Sequence, residues 1–324
     1  MAYETGVSTG VTALLSTIRE FADDLGWTID RDDVNELALH HADAGYFTLV
    51  ATPEADDLYT TADPGPFISI WGQTGFDPGA AHSSQPGSSG GLYGRTNALR
   101  GPFTAYHLFG TTQYIHCVVE IVPGEFAHFH FGCLDKSGDY TGGEYATGTA
   151  WFYYLNSDNY NRDALANRHT VPFDGEGYYA AGGGSDYGVL RLDTDGYTAE
   201  WGRFTYDTDS SYSTVGGPAR SSDSQWRTPY SYYWLSTPNT VNALSPLAPI
   251  LVTFNLRNAK TFLAGAPADL RIVNMRNLTP GETITIGNDE WVCFPLKKRG
   301  LDRYAPPPAV NSWYFGFAYR KVAL

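Results

Sequence analysis

From Ile115 to Cys133 the chain runs through two alternating, β-rich stretches around Pro123-Gly124: Ile115-His116-Cys117-Val118-Val119-Glu120-Ile121-Val122 and Glu125-Phe126-Ala127-His128-Phe129-His130-Phe131-Gly132-Cys133. β-branched and aromatic residues on either side of such a dipeptide predict an antiparallel hairpin. Pairing Ile121 with Phe126 sets Val119 against His128 and Cys117 against His130, all on one side of the sheet. A different period occupies Thr12 to Leu25, where Leu14, Leu15, Ile18, Phe21, Ala22 and Leu25 recur at the spacing of one buried helix face. Ser8 or Thr9 is placed to cap that helix and Gly26 to stop it. A strand begins at Trp27-Thr28-Ile29, and Glu36–His41 with Tyr46–Val50 predicts a second hairpin across Asp43-Ala44-Gly45. Phe67–Trp71, Ala105–Phe109, Ile250–Asn255, Leu270–Asn274, Thr283–Ile286, Glu290–Phe294 and Trp313–Tyr319 complete the strand candidates.

One N-terminal amphipathic helix packed on a predominantly antiparallel sheet, with long ordered loops, is an α+β fold. Gly75 to Gly101 is too long and too rich in small residues for a tight connection; an ordered arm or a mobile insertion is expected there. Residues 151–245 lose periodicity. Trp151-Phe152-Tyr153-Tyr154, Tyr178-Tyr179, Trp201–Phe204 and Tyr230–Trp234 stand between Asp-, Ser- and Gly-rich loops. The expected organisation is an α+β unit over 1–150 carrying the 75–101 insertion, an aromatic β insertion or subdomain over 151–245, and a β segment over 246–324 that completes the first unit.

Composition narrows the function classes. With 324 residues the chain can bury a large core, and 15% aromatic content against 17% charged favours β-architecture with broad contact surfaces. A net charge of −14 opposes direct binding to nucleic acid, and the one compact basic run, Lys297-Lys298-Arg299, reads as a solvated loop. Cys117, Cys133 and Cys293 are odd in number and lack CxxC spacing, as expected of reduced, buried thiols in a protein made in a cytoplasm. No basic stretch followed by an apolar run opens the sequence, and none approaches the roughly 18 apolar residues of a membrane span. A soluble protein without a membrane span is expected.

Candidate chemistry is sparse. In the register above, Cys117, His128 and His130 are acceptable zinc ligands, but a fourth is not evident and core or interface histidines explain the pattern better. Gly87-Ser88-Ser89-Gly90-Gly91 fits G-x-S-x-G, yet no strand leads in and no helix leads out. Asp193-Thr194-Asp195-Gly196 with Glu200 lacks the ligands of a calcium loop and reads as a hairpin turn. Gly182-Gly183-Gly184-Ser185 opens no helix that would cradle a phosphate. Asn277-Leu278-Thr279 is a formal glycosylation acceptor that matters only on secretion.

Several patches together resemble virion structural proteins of tailed bacteriophages: Tyr3-Glu4-Thr5-Gly6, Leu14-Leu15 through Gly26-Trp27-Thr28, Tyr106–Phe109, His128–Gly132, Tyr140–Tyr145, Arg271–Asn274, Pro280-Gly281, Thr285–Gly287, Phe294-Pro295 and Gly316–Lys321. They fall in the N-terminal and C-terminal thirds and contain no catalytic signature. The resemblance implies a non-enzymatic tail, baseplate or neck component, made in the bacterial cytoplasm and resident in the virion. It implies no cofactor, and as partners copies of itself and other virion proteins. A carbohydrate-binding host-attachment protein is the rival expectation, with Trp151, Trp201, Trp226 and Trp234 stacking on a host-surface glycan. A glycan-degrading hydrolase built on two carboxylates comes third, because nothing selects the pair.

Overall fold

The computed structural model describes residues 2–53, 66–90, 94–96, 99–149, 172–173, 188–192, 200–203, 226–227, 246–256, 260–296 and 315–321. Strand β1 (Ala2–Ser8) precedes helix α1 (Val11–Asp24). A five-stranded meander follows: β2 (Thr28–Asp33), β3 (Glu36–His41), β4 (Gly45–Thr52), β5 (Phe67–Gln73) and β6 (Gly94–Thr96). Next come β7 (Phe103–Gly110), β8 (Tyr114–Val122), β9 (Glu125–Cys133), the short β10 (Asp135–Lys136), β11 (Gly142–Gly148), β12 (Gly188–Leu192) and β13 (Glu200–Arg203). With β1, these strands apart from β10 build a seven-stranded sheet in the order β1-β7-β8-β9-β11-β12-β13. The C-terminal part adds β14 (Trp226–Arg227), β15 (Ala248–Pro249), β16 (Val252–Leu256), β17 (Lys260–Ala266), β18 (Leu270–Asn274), β19 (Glu282–Ile286), β20 (Asp289–Pro295) and β21 (Phe315–Lys321). From these come a five-stranded sheet, β15-β18-β21-β20-β19, and a small one, β10-β17-β16-β14. Every strand pairing is antiparallel and α1 is the one α-helix among the described residues, so the fold is α+β and mostly β.

The seven-stranded sheet is the middle layer. One of its faces contributes Leu108, Ile115, Cys117, Val119, Ala127, Phe129, Phe131 and Ala146 to a core shared with α1 and with Leu37, Leu39, Phe47, Leu49, Ile68 and Ile70 of the meander. The other face contributes Phe109, Val118, Phe126, Tyr145 and Leu190 to a second core shared with Leu270, Ile272, Phe294, Phe317 and Tyr319 of the C-terminal sheet. Burial on both faces explains why β8 and β9 are nearly continuously buried.

The helix is set by its apolar face and by its end. Val11, Leu14, Leu15, Ile18, Phe21 and Ala22 are buried. Gly26 (φ 82°) donates to the carbonyl of Asp23 while Trp27 donates to that of Ala22, the paired bonds of a glycine-terminated helix. The expected cap is corrected. Gly10 holds the N-cap position without any side-chain cap, and the Ser8 hydroxyl turns instead to the carbonyl of Gly10.

The β8–β9 hairpin forms around Pro123-Gly124, with a register one residue away from the expected one. Glu120 opposes Phe126, Val118 opposes His128 and His116 opposes His130, because Ile121 is an extra residue in a bulge between Glu120 and Val122. Slipping by one sends every second side chain to the other face.

Residues 75–90 do not extend as an arm. Arg31 donates to the carbonyls of Pro78 and Ala80, Gln85 is buried and bonds to Asp77 and Ala80, and Ser89 donates its N–H to Gly72. The chain's own polar groups hold this segment against the meander.

Candidate functional site

The densest gathering of chemistry-bearing side chains lies in the seam between the middle and C-terminal sheets. Pairing of β8 with β9 sets the His116 and His130 rings edge to face, with centroids 5.0 Å apart. His128, two residues along β9, has its ring 6.4 Å from His130. From the opposing sheet, Tyr319 of β21 stacks on both His128 and His130, and Phe317 meets both edge-on. All three imidazoles have no exposed surface.

Hydrogen-bond chemistry fixes where their protons sit. A carbonyl only accepts, so His128 Nε2, 2.9 Å from the carbonyl of Pro295, carries a hydrogen. Its Nδ1 is then the acceptor for the Tyr319 hydroxyl at 2.7 Å. His116 Nε2, 3.0 Å from the carbonyl of Ala268, likewise carries its hydrogen, leaving Nδ1 as acceptor. His130 Nδ1 lies 3.2 Å from that nitrogen and is therefore the donor. By elimination His130 Nε2 is a bare lone pair, and it has no hydrogen-bond partner among the described residues. The assignment holds for neutral rings, which burial enforces. His116 and His128 are lowered to about 4 by desolvation, partly offset by their bonds to backbone carbonyls. His130 is pushed well below the usual histidine range, first by burial and then by its two histidine neighbours.

One charged group borders the seam on the His116 side. Asp269, in a left-handed turn (φ 52°) directly after Ala268, accepts from the Tyr114 hydroxyl at 2.7 Å and from Arg320 at 3.2 Å. Tyr114 stacks on His116 with centroids 4.2 Å apart. Burial raises the hydroxyl pKa values of Tyr114, Tyr145 and Tyr319, so they stay protonated; Tyr114 donates to Asp269 and Tyr319 to His128, while the Tyr145 hydroxyl has no hydrogen-bond partner among the described residues.

The sequence-derived metal set is not brought together. His128 and His130 share a face, but the bulge turns Cys117 to the opposite one, into the core with α1. Burial also raises the Cys117 thiol well above its usual range, which disfavours the thiolate a metal needs. Among the described residues no group of three or more His, Cys, Asp or Glu side chains is arranged to hold a metal ion. His116 is the member sequence reasoning missed; the signal was the Ile121 bulge beside the Pro-Gly turn.

Of the tryptophans proposed for sugar stacking, Trp201 is buried over Gly72, its indole N–H donated to the carbonyl of Gly87 at 2.9 Å, so it offers no stacking face. Trp226 lies on β14 opposite Phe254, and Trp151 and Trp234 fall outside the described residues. Ser89 of the G-x-S-x-G match is buried. Asp193–Gly196, Gly182–Ser185 and Lys297–Arg299 also lie outside the described residues.

Compared with known proteins, the chain matches no family model and no curated protein. Among the described residues no helix is long and apolar enough to cross a membrane.

Proposed function

We propose that this chain is a non-enzymatic structural subunit of a tailed-phage particle, a tail, baseplate or neck component that works through contacts with copies of itself and with other virion proteins. The phage setting rests on the sequence resemblance. The observation that supports work by surface contact is strand β19. Among the described residues it forms the free edge of the C-terminal sheet, with Glu282, Thr283, Thr285 and Ile286 exposed and only Ile284 half-buried. Ile286 pairs with Asp289 across the two-residue turn Gly287-Asn288, so Thr283 and Thr285 direct their main-chain N–H and C=O groups outward. Edges left free in monomers are blunted by lysine, proline or a bulge, and β19 contains no lysine or proline and no register shift. A β-branched edge of this kind is suited to pairing with a neighbouring subunit's strand.

Light scattering on the purified chain across a range of concentrations tests the reading. A discrete oligomer is expected, and Thr285→Lys at the exposed edge is expected to weaken it while leaving the circular dichroism spectrum unchanged. A monomer at every concentration that binds no phage particle fraction overturns it. Glycan-array binding by such a monomer would instead support the attachment reading.

A further inference from the structure

We propose that His116 and His130 form a single buried proton-binding site, entered at the bare Nε2 of His130 with the charge delivered to His116, and that filling it is the acid release for the seam between the middle and C-terminal sheets. The inference does not rest on the phage reading.

Among the described residues, His130 Nε2 is the one fully buried ring nitrogen in the seam that takes a proton without displacing a hydrogen bond; His107, which meets Phe294 at 4.6 Å, is bonded at Nδ1 to Tyr3 and is not fully buried. The acceptor nitrogens of His116 and His128 are already occupied by His130 Nδ1–H and by the Tyr319 hydroxyl. The step balances. A proton from hydronium forms an N–H bond at His130 Nε2. The Nδ1–H bond of His130 breaks as a new one forms at His116 Nδ1, along the 3.2 Å contact. His130 is left neutral as the opposite tautomer, its Nδ1 now accepting. His116 carries the charge, with its Nε2–H still donated to the carbonyl of Ala268. One proton enters and the bond between the rings survives with its direction reversed.

The surroundings decide which ring keeps the charge. Facing the pair are Tyr114, His128, Tyr145, Asp269, Tyr319 and Arg320, and Asp269 is the one anion. It borders His116, whose ring also stacks on Tyr114, whereas His130 is walled by Phe173, Phe317 and Tyr319. Arg320 offsets part of the carboxylate's field, although it is shared with Asp289. Within the His116, His128 and His130 cluster the next proton has only His128 Nδ1 left to take, and there it must expel the Tyr319 hydroxyl, a direct link from β9 to β21. A charge inside an apolar seam together with the loss of that link frees the C-terminal sheet.

The test uses the full chain with ¹⁵N-labelled histidine, followed by long-range ¹H–¹⁵N spectra and amide exchange from about pH 7.5 to about pH 3.5. At the upper end His130 is expected as the Nδ1–H tautomer, with His116 and His128 as Nε2–H. On acidification His116 becomes doubly protonated first while His130 swaps to Nε2–H, and exchange protection fails first in β18 and β21. Asp269→Asn, which keeps the size and suits the left-handed turn, is expected to move the His116 titration down by about 1 pH unit. His116→Gln keeps a donor and an acceptor but cannot hold the proton, and is expected to delay release of β18 and β21 to lower pH. At the upper end of the range, a neutral His130 bearing Nε2–H overturns the proposal; so does charge appearing first on His128 or His130, an unmoved titration in Asp269→Asn, or simultaneous loss of protection in all sheets. If His116→Gln fails to fold, the tautomer swap and the Asp269→Asn titration decide it.

Discussion

Gly72 on β5 has no room for a side chain: a Cβ added there would stand 2.0 Å from Cη2 of Trp201. The indole cannot retreat without breaking its bond to Gly87 and uncovering a buried ring. Through this contact the meander meets β13, at the far end of the middle sheet. Overpacking of this kind costs about 1–3 kcal/mol, so Gly72→Ala is expected to lower the urea midpoint accordingly, and Gly72→Ala with Trp201→Phe to recover part of the loss. An unchanged midpoint in the single variant would contradict the packing. Nothing in the sequence announced Trp201 as a core residue. A tryptophan in an aperiodic, Gly-rich stretch suggested an exposed platform, because the glycine that receives it lies on another sheet 129 positions earlier.

Elements carried by a local period were legible, and features that depend on one inserted residue or on backbone groups alone were not. The face Leu14, Leu15, Ile18, Phe21 and Ala22 repeats every three to four positions, and the observed helix differs from the expected one by a residue at each end. Its cap was illegible, since a glycine in extended backbone has no side-chain signature. The strands of both hairpins fell where alternation put them, but the Ile121 bulge altered the register, and with it the membership of the site. His128 and His130 were readable as a pair on one face. Their partners Tyr319 and Pro295 lie 191 and 167 positions away, and Ala268 lies 152 from His116, because no periodicity encodes which sheets stack. At this scale Ile18→Ala, which removes a fully buried side chain between helix and sheets, is expected to cost about 2–5 kcal/mol. Ser16→Ala on the exposed side is expected to change stability by less than about 0.5 kcal/mol. Comparable losses in the two variants, by chemical denaturation, would mean that the helix does not pack as described.

For the molecule as a whole, three stacked layers leave the middle sheet without a wet face along β8 and β9, so an unpaired charge there is costly. The three buried histidines are neutral at neutral pH, with every ring nitrogen but His130 Nε2 bonded, and that neutrality fails in acid. Their folded pKa values are depressed below the unfolded 6.5: His116 and His128 to about 4, His130 lower still. Above pH 6.5 both folded and unfolded chains hold neutral rings, and no stability depends on them. Between 6.5 and 4 the unfolded chain binds protons that the folded chain refuses, so unfolding gains free energy as pH falls. His116 and His128 each contribute a loss of about 3 kcal/mol by pH 4, a large fraction of the ~5–15 kcal/mol that holds a typical domain, and His130 acts in the same direction. The urea midpoint is therefore expected to be flat from about pH 8 to 7 and to fall steeply below 6, and His128→Gln is expected to start lower at neutral pH but decline less. A midpoint that holds level down to pH 4.5 would mean that the rings are solvated or already charged, and would remove the dry seam on which the joining of the two sheets depends.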